Sequence, residues 1–141
     1  MRQPPRQGLV IGGESGAATV EMAFILPLFL LLTFGIFEFG RAWLTVNTVN
    51  HATREAVRLA ATTTGLTANA TTVINKAKDI LAAAGLSGAS VTNTGPSGTP
   101  PQVTVTTTLS FNFLTGIGPF FGFSFPATIP LTSSATMRYE R

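Results

Sequence analysis

A chain of 141 residues holds one small domain and at most one appended segment. Its charged share is 11%, less than half of what soluble domains carry, so lipid or a polymer is the solvent for much of it. The absence of cysteine excludes disulfides and thiolate chemistry. The nine lysines and arginines behind the net charge of +3 are scattered over the whole length, not gathered into the basic face that nucleic acid requires, so no nucleic-acid partner is expected.

Met1 to Gly16 is polar and glycine-rich, with Arg2, Arg6, Pro4 and Pro5 ahead of Leu9, and reads as an unstructured cytoplasmic tail. Its end, Leu9-Val10-Ile11-Gly12-Gly13, invites comparison with a phosphate-cradling loop. The spacing excludes one. Counted from Gly12, the second and third glycine places of a dinucleotide fingerprint hold Glu14 and Ala17, and Glu14 sets a carboxylate where phosphate would lie. No cofactor is expected.

From Ala17 to Phe37 the chain is almost entirely apolar. Its twenty-one residues make a helix of roughly 31 Å, enough for a bilayer core, and the rest of the chain is too small to bury such a helix. A single membrane span is expected, with lipid as its partner. Pro27 removes one backbone hydrogen bond and is expected to bend or loosen the helix, which membrane helices tolerate. Glu38 and Arg41, three apart on one face, form a self-neutralising pair near the headgroups, and Trp43 beside them fits an interfacial anchor.

The helix continues through Asn47 to Ala61, with Val49, Ala52, Ala56, Leu59 and Ala60 as its apolar stripe. Thr62-Thr63-Thr64-Gly65 breaks it. A second helix is expected from Thr67 to Ala84, burying Val73, Ile74, Ala77, Ile80 and Leu81, with Gly85 in a left-handed conformation after its end. Gly95 to Pro101 is a loop. Alternation from Val103 to Phe113 predicts a half-buried strand, Leu114 to Phe125 a long connection, Ile129 to Tyr139 the returning strand and Val91 to Thr94 a short edge. The fold class is α+β: a long N-terminal transmembrane helix continuing into a small domain with one packed helix and an antiparallel β-sheet.

Glu21 stands out. A carboxylate inside a membrane helix costs about 2.5 to 3.5 kcal/mol at the bilayer centre, less near the interface, and usually marks a function; the alternative is that Glu21 sits high enough to reach headgroup water. A secretory signal is cut after its apolar core, following small residues. Here Glu38-Phe39-Gly40-Arg41 follows the core, and the small residues Ser15-Gly16-Ala17-Ala18 precede it. A cut between Gly16 and Ala17 makes Glu21 the fifth residue of the mature chain.

Gly16-Ala17-Ala18-Thr19-Val20-Glu21-Met22-Ala23, then Leu26-Pro27-Leu28, then Gly35-Ile36-Phe37-Glu38-Phe39-Gly40-Arg41, closely resembles the TadE-like minor pseudopilins of the tight-adherence (Tad/Flp) pilus system. Asn50 to Arg58 is similar to that family's helix continuation. The resemblance covers roughly Gly16 to Ala61. Met22 departs from the family's usual aromatic, and TadG-like and TadF-like proteins share much of the front end. The resemblance implies a type IV pilin-like plan: a cytoplasmic leader over 1–16, a transmembrane and extended helix over 17–61, and an extracytoplasmic α+β domain over 62–141. It implies a processing site at Gly16, Ala17 and Glu21, read by a prepilin peptidase, and assembly through Ala17, Glu21, Pro27, Glu38 and Arg41. Other pilins and pseudopilins and the Tad inner-membrane platform are the implied partners, in adhesive pilus assembly at the bacterial inner membrane. Whether such a chain enters the filament stays open. An uncleaved anchored protein whose outer domain binds a ligand or envelope partner is the alternative.

No enzyme is expected. His51, the sole histidine, sits on a solvated helix face. Asp79, the sole aspartate, lies beside Lys76 and Lys78 on an ordinary helix surface, and Ser133-Ser134 lack a general base. Asn69-Ala70-Thr71 matches a glycosylation tripeptide that is common by chance. The cluster Phe120 to Phe125 reads as core more readily than as interface.

Overall fold

The computed structural model describes residues 14–113 and 128–140. The tail up to Gly13, the connection Leu114 to Phe125 and the cluster Phe120 to Phe125 lie outside them. The elements run α1 (Glu14–Thr62), α2 (Thr71–Ala83), β1 (Ser90–Asn93), β2 (Gln102–Asn112) and β3 (Thr128–Arg138). This is the α+β plan of a long apolar helix, a second helix and an antiparallel sheet. Each strand lies within a residue or so of its expected bounds. The chain divides into two units, residues 1–36 and 37–141.

The described part of the first unit is α1 up to Ile36. From Met22 onward it is apolar on every side, with Phe24 78% and Leu28 67% exposed, the pattern of a helix whose surroundings are lipid. α1 passes unbroken through Pro27. The one hydroxyl in its middle, Thr33, donates to the carbonyl of Phe29 at 2.8 Å, so its hydrogen is satisfied without water.

Among its described residues the second unit has one core. Val49, Ala52, Ala56, Val57 and Ala60 of α1 cluster with Val73, Ala77 and Leu81 of α2, Val91 of β1, and Val103, Val105 and Leu109 of β2. The expected α1 stripe is thus found, with one shift. Leu59 is only half-buried, while Thr53 and Val57 are buried, because the buried arc centres on Ala56 and spans more than a narrow seam. Thr53 is tolerated there because its hydroxyl donates to the Val49 carbonyl at 2.8 Å.

The sheet has the order β1-β2-β3, antiparallel throughout. Alternation puts Val103, Val105, Thr107, Leu109 and Phe111 on the core face. The opposite face is a ladder of hydroxyls, with Thr104 and Thr136 2.8 Å apart and Thr106–Ser134 and Thr108–Thr132 3.2 Å apart. Such threonine pairs add cross-strand support.

α2 begins at Thr71, not Thr67. The preceding residues are held by the sheet instead: Asn69, at φ +54, donates its N–H to the Asn93 carbonyl at 2.9 Å, and the Asn93 amide donates to the Thr67 carbonyl at 3.0 Å. The far end is as expected. Gly85 takes φ +74, its N–H bonds the Ala82 carbonyl, and the Leu86 N–H bonds that of Leu81, which is a Schellman closure. The C-terminal end of α1 is fastened by the chain's last residues, where the Tyr139 hydroxyl donates to the Thr63 carbonyl at 2.9 Å and the Glu140 N–H to that of Ala61 at 3.0 Å.

Candidate functional site

Gly16, Ala17 and Glu21 all lie on α1 in the first unit, and all are exposed. Ala17 and Glu21 are four residues apart, hence on one face and about 6 Å apart along the axis. α1 starts at Glu14, so the Gly16–Ala17 bond lies in the first helical turn and not in the unstructured tail read from composition. The fold supplies no reason for glycine at 16. A Cβ there meets nothing within 4 Å, and its φ is not of the left-handed kind, so alanine would fit and would favour the helix by up to about 1 kcal/mol. What glycine does give is a first turn that unwinds readily. Among the described residues no ion pair involves Glu21.

Glu38 and Arg41 belong to the second unit, and here geometry adds to what spacing indicated. Arg41 Nη2 lies 2.9 Å from Glu38 Oε2, the i, i+3 pair expected. The pair is no surface ornament, because Glu38 is 6% exposed. Arg41 Nη2 also donates to the carbonyl of Asn112, at the end of β2, and the guanidinium carbon sits 4.5 Å from the centre of the Phe111 ring, a cation–π contact. Phe113 meets Phe111 edge-on at 5.4 Å. Arg41 therefore pins the end of β2 to α1. The sequence offered no signal for this, since the partners are 71 residues apart and a phenylalanine in an alternating strand announces only burial. On the other side of the same helical turns Phe39 and Trp43 stack at 6.3 Å and stay exposed.

The other sites considered stay apart. His51 and Asp79 are exposed, and Ser134 is occupied with Thr106. Among the described residues no group of three or more histidine, aspartate and glutamate side chains is placed to hold a metal.

Among the described residues one exposed helix is long and apolar enough to cross a membrane, and its union with an α+β unit is the plan of a membrane-anchored protein. Residues 16–58 match the family described as TadE-like protein. This is less than a third of the chain, all of it within α1, and the match is consistent with a TadE-like protein of the Tad pilus system. No curated protein and no solved structure matches the chain.

Proposed function

We propose that this chain is a minor pseudopilin that serves in assembly of Tad/Flp adhesive pili after trimming by a prepilin peptidase. The leader is residues 1–16, Gly16 precedes the scissile bond, and Glu21 is the acid the peptidase reads. The span lies in the bacterial inner membrane with the α+β unit, 62–141, on the extracytoplasmic side. The observation that carries this reading is where the family match begins: at Gly16, the residue whose identity the fold does not require. Cleavage frees a cationic amine at Ala17. In a low-dielectric bundle that amine offsets the cost of Glu21 on a neighbouring subunit, so correct register is favoured even where the net stability of the pair is small. Pro27 and the Glu38–Arg41 pair serve assembly by shaping the helix that packs there. Other pilins and pseudopilins, the inner-membrane platform and lipid are its partners.

The position of the Gly16–Ala17 bond inside a helical turn favours a second reading to one extent. A helix that is never unwound is never cut, and the protein then remains a permanent anchor for an outer binding domain. Mass spectrometry of the mature N-terminus separates the two. A chain starting at Ala17 supports processing, and one retaining Met1 supports the permanent anchor.

A further inference from the structure

The second unit carries its own mark of where a membrane surface lies. On the exposed side of α1 within that unit, Phe37, Phe39, Trp43 and Leu44 are 60%, 70%, 62% and 67% exposed, and the residues that follow on that side are Asn47, His51 and Arg54, also exposed. The change from apolar to polar falls between Leu44 and Asn47. A helix that shows large apolar groups on its outer side up to one level and polar groups beyond it has crossed from lipid to water at that level. Trp43, the only tryptophan, sits at the boundary, where an amphipathic ring is most stable.

Arg41 lies below that boundary and is tied to the end of β2 through Asn112 and Phe111. The end of the sheet is therefore held at the level of the apolar turn. Its side chains agree, for Phe113 is 37% exposed and Ile129, at the start of β3, is 39% exposed. The opposite end of the sheet is different, with Gln102 paired to Arg138 and Glu140 close behind.

We infer that the α+β unit itself binds the membrane surface: the end of the sheet marked by Phe113 and Ile129 rests in the lipid headgroup and upper acyl layer at the level of Phe39 and Trp43, held there by Arg41. The partner is a lipid surface. It is neutral in its demands, because the contact is apolar and aromatic and its two charges, Glu38 and Arg41, neutralise each other. The layout also explains why Glu38 is buried with Arg41 as its ion-pair partner: below the interface, an unpaired charge has no water to turn to. Arg41 is a positioning residue here, since it contacts the sheet and not the lipid.

This inference rests on the reading that 17–37 spans a membrane, and the test distinguishes the two. The full chain is placed in phosphatidylcholine nanodiscs containing lipid brominated high on the acyl chain, and tryptophan quenching is read. Trp43 reports on the span. A Phe113→Trp, Trp43→Phe double variant reports on the end of the sheet, Ile129→Trp, Trp43→Phe repeats the measurement from β3, and Gln102→Trp, Trp43→Phe reports on the opposite end. Circular dichroism checks that each variant is folded. The expected result is quenching at positions 113 and 129 at least half as strong as at Trp43, and none at 102. Quenched Trp43 with unquenched 113 and 129 overturns the inference and leaves the span standing. No quenching at any position overturns both.

Discussion

The residues proposed to carry the function of this chain differ in how far the sequence alone exposes them. Glu21 was legible, because a carboxylate in an apolar run is costly enough to need a reason, and Gly16 was legible as the last small residue before that run. The structure adds that nothing near Gly16 constrains its side chain. Under the proposed processing, Glu21→Ala removes the recognition acid while leaving an even better helix former, so the mature N-terminus read by mass spectrometry is expected to revert to Met1 with the protein still in the membrane. Processing at the wild-type level in that variant contradicts the assignment. Arg41 was half legible, since spacing indicated its pair with Glu38 but not its hold on Asn112 and Phe111. Arg41→Ala removes the pair with the buried Glu38, the carbonyl contact and the ring contact together. Breaking a fully buried pair costs about 3–5 kcal/mol. The Arg41 side chain is 35% exposed, so water screens part of that, and roughly 1–2 kcal/mol is expected. Arg41→Lys keeps the charge but not the planar contact on Phe111 and is expected to recover only part of the loss. Urea denaturation of the full chain in detergent micelles measures both.

At the scale of elements, periodicity located the helices and strands because each has one buried face, and burial is what the pattern records. It erred where a backbone group answered to a distant partner. α2 starts at Thr71 because Asn69 and Thr67 are bonded to Asn93 across the chain, and no local residue pattern encodes that. Gly85 shows the converse case, in which a local rule suffices: its φ of +74 closes a Schellman motif and is a conformation that L-residues resist. Gly85→Ala is expected to destabilise the second unit by about 1 kcal/mol, seen as a lower denaturation midpoint with an unchanged slope. Gly40→Ala is the matched control. Gly40 is helical, has open space for a Cβ and does not take a positive φ, so the same added methyl is expected to be neutral or slightly stabilising. Equal losses in both variants count against a conformational origin. Ala52, Ala56 and Ala60 are fully buried, and their small size lets α1 lie close to the core of the second unit. Ala56→Leu inserts volume where none is free and is expected to cost about 1–3 kcal/mol.

At the scale of the molecule, the division at residue 36 separates two kinds of stability. The second unit is held by a packed apolar core, by the Tyr139 and Glu140 contacts at the end of α1, and by sheet hydrogen bonds, all of which urea weakens by solvating apolar and peptide groups. The described helix of the first unit has no packed core, and its large side chains are exposed. In an apolar phase it is held because every backbone group bonded within the helix would otherwise be left unsatisfied, at several kcal/mol each. Urea does not reach that phase. Unfolding of the full chain in micelles is therefore expected in two parts. The sheet and α2 are lost together in one cooperative transition, while the helical ellipticity of the apolar segment persists well beyond its midpoint. Far-ultraviolet circular dichroism reads the retained helix, and Tyr139 fluorescence at the latch on Thr63 reads the loss of the core. A single transition that removes all helical signal together with the Tyr139 change would show that α1 is stabilised as one element by the second unit, and that lipid contributes nothing to its first half.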